Sequence, residues 1–165
     1  MKDLDGRRLM ADSGLEYFKG ASTLGALSDN AIRYLLNHGH VLMADAGDTL
    51  FKTGDPGSSF LIVLKGRLKY YWQRSGGTVL LREVAFGSQI GYVSMIGLQD
   101  REGMAVAAEP STLLEVSSDL FYQLHLDYPT DFGILMMNLS RDMARVLRNL
   151  SARLAEQVSV GEFEV

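Results

Sequence analysis

Ala46-Gly-Asp-Thr-Leu-Phe-Lys-Thr-Gly-Asp-Pro-Gly-Ser-Ser-Phe-Leu-Ile-Val-Leu-Lys-Gly66 decides the fold. Short runs of β-branched and aromatic residues alternate here with Ala46-Gly-Asp48 and Gly54-Asp-Pro-Gly57, where the chain needs positive φ or a preset turn. The same texture extends outward from Val41 to about Val116. Strands are predicted for His40 to Ala44, Thr49 to Lys52, Ser59 to Lys65, Arg67 to Gln73, Thr78 to Val84, Met104 to Ala107 and Ser111 to Ser117, with Gly66 and Ser75-Gly-Gly77 as further turns. Leu68, Tyr70 and Trp72 alternate with Lys69, Tyr71 and Gln73, which predicts a strand with one buried face.

Helical text flanks this roll. Residues 1–23 carry a weak apolar stripe, Leu4, Leu9, Met10, Leu15 and Phe18, broken at Gly6 and Gly14, and read as a short interrupted helical lead-in. Ser28 caps a helix over 29–37 that places Ile32, Leu35 and Leu36 on one face and stops at Gly39. Ser117 or Ser118 with Asp119 starts a short helix bearing Leu120, Phe121 and Leu124. Tyr128-Pro129 separates it from a long helix starting near Thr130. The expected class is α+β: a β-roll, a double-stranded jelly-roll-like barrel, flanked by short N-terminal helices and two C-terminal helices, the last long. One domain spans 1–165: a helical part to 39, the roll over 40–117, helices over 118–158 and a tail over 159–165.

Composition narrows the function classes. At 165 residues the chain suits one domain, since domains usually run to about 100–200 residues. A net charge of −4 disfavours a protein held on DNA by broad phosphate neutralisation or on membranes by a polybasic surface, so neither nucleic acid nor membrane is an expected partner. Cysteine is absent, which removes disulfides, thiolate nucleophiles, zinc-thiolate sites and iron–sulfur clusters. The charges scattered through MKDLDGRRLMADSG leave no room for a secretory signal core, and the apolar runs fall far short of the roughly 20 residues a membrane helix needs. A cytoplasmic location is expected. Asn138 and Asn149 match a glycosylation pattern that has no role outside a secretory route.

The order of elements, with Gly87-Ser-Gln-Ile-Gly91 and Arg101 followed by Ala105-Val-Ala107, resembles the cyclic-nucleotide-binding domain family found in catabolite activator proteins, kinase regulatory subunits and gated channels. The resemblance covers about 24–154. It implies a phosphate cassette inside the roll, with Gly91, Tyr92, Val93, Ser94, Arg101, Glu102 and Gly103 as candidate ligand-binding residues. In such a cassette the arginine fork orients the cyclic phosphate, helix-start amides donate to the same anion, and a glutamate accepts the ribose hydroxyl. Gly87, Ile90, Gly91 and Arg101 keep the pattern. Three positions depart from it: Tyr92 replaces the ribose-binding glutamate, Asp100 the usual proline, and Glu102 a small residue beside the phosphate. A carboxylate there repels a phosphodiester. Two readings therefore stand: a cyclic AMP or cyclic GMP site with a poor ribose partner, or a degenerate pocket for another ligand or none. Arg101 is either a phosphate anchor or an arginine paired with Asp100, Glu102 or Glu83. Tyr92 either stacks on a ligand or fills the pocket.

In the last helix Phe132, Met136, Leu139, Met143, Val146, Leu147, Leu150 and Leu154 recur at spacings of 3 and 4. Met136, Leu139, Met143, Val146, Leu147 and Leu150 are expected to form a homodimer seam, the alternative being a face packed on the roll. Asn149 and Ser151 are placed to reach a base, while Arg141, Arg145, Arg148 and Arg153 read as its solvated flank rather than a nucleic-acid contact. His38-Gly-His40 has metal-ligand spacing, but a cupin-type enzyme needs a further histidine and glutamate nearby, and no nucleophile elbow is present. No metal, cofactor or catalysis is expected. A purely structural dimer module is the other alternative. Only 11 residues follow Leu154, so the expectation is a sensor that acts through an unidentified protein partner.

Overall fold

The computed structural model describes residues 1–74 and 76–157; Ser75 of the predicted turn and the predicted tail lie outside the described residues. In chain order the elements are β1 (Lys2–Leu4), α1 (Gly6–Ser13), α2 (Leu15–Lys19), α3 (Asp29–His38), β2 (His40–Ala44), β3 (Thr49–Phe51), β4 (Ser59–Lys65), β5 (Arg67–Arg74), β6 (Gly77–Ala85), β7 (Gln89–Ile90), α4 (Tyr92–Ile96), β8 (Gly103–Ala107), β9 (Ser111–Ser117), α5 (Ser118–Asp127) and α6 (Pro129–Gln157). Two antiparallel sheets, ordered β1-β2-β9-β4-β7 and β3-β8-β5-β6, make the expected jelly-roll-like body.

β4 shows why the opening stretch is so apolar. Leu61 and Val63 join Leu68, Val84, Ile90, Ala105 and Leu113 in the roll interior, while Phe60, Ile62 and Leu64 join the helical core with Ile32, Leu35, Leu124 and Leu135. Both faces of the strand are buried, so its text runs continuously apolar instead of alternating. β5 keeps the predicted alternation only as far as Tyr70. The β5–β6 register then shifts, Tyr70 opposing Arg82 and Tyr71 opposing Leu80, leaving Leu81 as the extra residue of a bulge.

The predicted caps are present. Ser28 Oγ accepts from the Ala31 amide at 3.2 Å and Ser117 Oγ from the Leu120 amide at 3.1 Å. Pro129 is the first residue of α6, one before the predicted start, because that position has no intrahelical use for an N–H. The helical lead-in needs correction: Lys2–Leu4 is a strand pairing antiparallel with β2. Gly6 starts α1 instead of breaking it, since a Cβ there would strike the Leu36 carbonyl. β7, two residues long, was too short for any periodicity to show.

α6 divides in two. Asp131, Leu135 and Leu139 are buried, and the Asp131 carboxylate accepts from the Ser28 amide at 2.6 Å and the Ser28 hydroxyl at 2.9 Å. Asn138 donates to the carbonyls of Thr23 (3.1 Å) and Gly25 (2.8 Å). Leu147 and Leu154, by contrast, are 65% and 63% exposed. The predicted seam is therefore not one face: Leu139 belongs to the core and is not free for a second chain, and half-buried Met136 packs against that core. The 3–4 spacing is common to a helix packing on its own body and to one packing on a partner.

Candidate functional site

A cavity of about 270 Å³ opens between the roll and the second half of α6. Phe51, Tyr70, Trp72, Leu81 and Ile90 wall it from the sheets. Gly91, Tyr92, Val93 and Ser94 come from the β7–α4 junction, Arg101 and Glu102 from the strand approach to β8, and Met143, Val146, Asn149, Leu150 and Arg153 from α6. Six of the seven candidate cassette residues, Gly91, Tyr92, Val93, Ser94, Arg101 and Glu102, lie together on this cavity. Gly103 stands just behind the lining: a Cβ on it would lie 2.5 Å from both the Tyr70 hydroxyl and the Tyr71 carbonyl. Gly103→Ala is expected to cost about 2 kcal/mol through overpacking. Thermal melting should show a loss of about 5 °C, whereas Gly76→Ala, with open space around its Cβ, should melt like the parent.

Arg101 is 4% exposed. Its Nη1 donates to the Gly91 carbonyl at 2.6 Å and its Nη2 to the Ser59 carbonyl at 2.6 Å, and its guanidinium lies over the Phe51 ring, 4.5 Å from the centroid. Gly91 has φ +90, and a Cβ there would fall 2.5 Å from Nη1, so glycine is required twice over at this position. Of the two readings of Arg101, the pairing with Asp100, Glu102 or Glu83 does not form; Glu83 bonds Arg67 instead, at 2.9 Å. Sequence reasoning could not anticipate carbonyl partners, because every residue carries one. Burial pushes the guanidinium below its ordinary range, opposed first by the charge of Glu115. Nε is buried without a hydrogen-bond partner. A desolvated cation whose bonds are to neutral carbonyls, on the wall of a cavity, is suited to an anion.

Tyr92 lines the cavity and also reaches past it to α6. Its side chain is buried and its hydroxyl donates to Asp142 Oδ2 of α6 at 3.0 Å; Arg82 Nη1 reaches the same oxygen at 3.4 Å and Arg82 Nη2 the Gln89 carbonyl at 3.3 Å. Burial and the neighbouring Asp142 carboxylate push the phenol well above its ordinary range, so it stays a donor. The three groups tie the cassette to α6. Asp142 and Arg82 were missed from sequence, since only the bulge at Leu81 and the path of α6 bring them together. A double-mutant cycle of Tyr92→Phe and Asp142→Asn should return a coupling of about 1 kcal/mol in unfolding free energy. Strictly additive losses would show that the two side chains do not act as a pair.

On α6, Asn149 lines the cavity as expected, but Ser151 does not. Two residues further along, it is turned about 200° around the helix and is exposed. Met143, Val146 and Leu150 face the cavity, and Arg153 leaves the predicted solvated flank to line it, donating to the Leu81 carbonyl at 3.3 Å. His38 and His40 take separate partners: the His38 ring packs on Tyr34, and His40 faces Asp3 and Glu115. Among the described residues no cluster of three or more His, Cys, Asp or Glu side chains is arranged to hold a metal ion, and no helix is long and apolar enough to cross a membrane.

The family model for the cyclic nucleotide-binding domain matches residues 42–128, more than half the chain, from within β2 to just past the end of α5. The chain belongs to this family. Its fold is shared at TM-score 0.82 with a cyclic nucleotide-binding domain from Methylobacillus flagellatus, at 24% identity, covering 98% of this chain and 92% of that one. The catabolite activator protein of Thermus thermophilus superposes at TM-score 0.71 with 23% identity, over 82% of this chain and 62% of that one. Among curated proteins, the lysophospholipase NTE1 of Saccharomyces cerevisiae is 28% identical over 132 residues. That match takes in 71% of this cyclic nucleotide-binding domain but only 8% of the enzyme, so the bulk of that protein has no counterpart here. The family's domain is a regulatory, ligand-sensing fold.

Proposed function

We propose that this chain is a single-domain, non-catalytic sensor whose cavity takes the anionic group of a small ligand at Arg101, and whose α6 transmits occupancy to a protein partner. The observation that carries the reading is the buried Arg101 fork, which lines a cavity roofed by α6 and makes its hydrogen bonds to neutral carbonyls. A cyclic nucleotide is the first ligand to test, with the base toward Asn149 and Arg153. The exposed positions Leu147 and Leu154 of α6 support association of two copies through the outer half of that helix. The same proposal places the sensor in the cytoplasm.

The second reading, a pocket that has left cyclic nucleotides for another anion, is favoured by two side chains. Tyr92 spends its hydroxyl on Asp142, leaving no carboxylate at the ribose position, and Glu102 adds a negative charge to the lining. Calorimetric titration of the purified protein with cyclic AMP, cyclic GMP and a cyclic dinucleotide decides between them. Heats with dissociation constants in the micromolar range or below are expected on the first reading; silence at high micromolar ligand leaves the second.

A further inference from the structure

A polar row crosses the first sheet from the protein surface to the cavity arginine. Asp3 of β1, His40 of β2, Glu115 of β9 and Ser59 of β4 stand on four successive strands of the sheet. His40 Nε2 lies 2.9 Å from Asp3 Oδ1 and its Nδ1 lies 3.4 Å from Glu115 Oε2. The Ser59 hydroxyl donates to Glu115 Oε1 at 2.7 Å, and Arg101 Nη2 is 3.3 Å from the same hydroxyl oxygen.

A serine hydroxyl has one proton and two lone pairs. With the proton committed to Glu115, a lone pair is left for the guanidinium, and the result is an ion pair with a hydroxyl inserted between its charges. Direct contact is absent, yet Glu115 is the first of the groups that oppose the effect of burial on Arg101. Asp100 and Glu102, next to Arg101 in the chain, form no salt bridge with it among the described residues.

We propose that Glu115, acting through Ser59, is a positioning residue for Arg101: the hydroxyl fixes the fork against the Gly91 and Ser59 carbonyls, and the carboxylate sets how strongly the guanidinium draws an anion. The binding consequence rests on the reading of the cavity as an anion site; the geometric consequence does not. Ser59→Ala removes the inserted hydroxyl and leaves the fork held by the Gly91 and Ser59 backbone carbonyls alone, so it is looser but still anchored. Ser59→Thr restores the hydroxyl and the positioning. Glu115→Gln keeps an acceptor for Ser59 but removes the counter-charge, so a bound anion is repelled less and held about fivefold more tightly, on the order of the Coulomb effect of one charge not in direct contact in a partly screened site.

The test uses the full chain labelled with ¹⁵N-arginine. Without ligand, the Arg101 Nη protons are expected to give resolved, slowly rotating resonances in the parent and in Ser59→Thr, and measurably faster rotation, seen as exchange-broadened resonances, in Ser59→Ala, where only the carbonyl bonds remain. A parent-like Arg101 spectrum in Ser59→Ala overturns the proposal. If Ser59→Ala does not fold, Glu115→Gln carries the test through the Arg101 Nε shift, which moves if the carboxylate acts on the fork and stays if it does not. Calorimetry then compares cyclic AMP with uncharged adenosine: Glu115→Gln tightens the first about fivefold and leaves the second unchanged. An unaltered cyclic AMP affinity overturns the charge effect. No heat from cyclic AMP in any variant, with the arginine spectra responding as stated, supports the positioning role and counts only against the nucleotide reading.

Discussion

With alanine in place of Arg101, cyclic AMP heats are expected to vanish and the melting temperature to fall by about 5–10 °C. Two effects combine. The ligand's charged group loses its fork, and the Gly91 and Ser59 carbonyls lose buried donors at 2.6 Å. Hydrogen bonds to charged groups contribute about 1.5–3 kcal/mol each. Relief of the buried charge offsets part of this, leaving a net loss of about 2–3 kcal/mol. Arg101→Lys separates the terms. A lysine keeps the charge but cannot present two parallel donors, so the protein should recover part of its stability while binding falls more than tenfold. Nucleotide affinity that survives Arg101→Ala would place the anion somewhere else.

The second large effect contrasts two leucines of α6. Leu139 is fully buried against the helical core and Leu147 is mostly exposed. Leu139→Ala should cost about 3 kcal/mol and lower the melting temperature by about 10 °C. Leu147→Ala should leave the melting of dilute protein within about 1 °C, since exposed substitutions usually fall inside 0.5 kcal/mol. Light scattering supplies the other half of the comparison. If two copies associate through the outer half of α6, the Leu147 variant weakens that association; equal dimer dissociation constants for parent and variant would count against this face.

The strands of the roll were legible because turn glycines and β-branched runs are local signals. Gly47, Gly54, Gly66, Gly87 and Gly91 all hold positive φ where the text placed turns or the cassette. The helix caps at Ser28 and Ser117 were legible for the same reason. What lay beyond reading was set by register and by packing across the chain. Leu139 and Leu147 occupy the same apolar pattern, and only the curve of the body under α6 assigns one to the core and one to solvent. Arg101 stands between two acids in sequence, but the backbone turns it toward carbonyls ten and forty-two residues away. The row from Asp3 to Ser59 has no sequence signature at all, because its members are neighbours only once four strands have paired.

The division of α6 gives the molecule a lever. Asp131, Leu135, Asn138 and Leu139 fix one end as a fulcrum, and Asp142 is the last point at which a hydrogen bond from the cassette restrains the helix. From Asp142 to Gln157 the remaining arm is about 22 Å long at 1.5 Å per residue. A tilt of about 10° at that restraint carries the tip through about 4 Å, close to the width of a side chain, on the same rise per residue. With the fulcrum ending at Leu139, Asp142 lies about 4.5 Å and Gln157 about 27 Å along the arm, so a displacement where Tyr92 meets Asp142 is magnified about sixfold at the end of the helix.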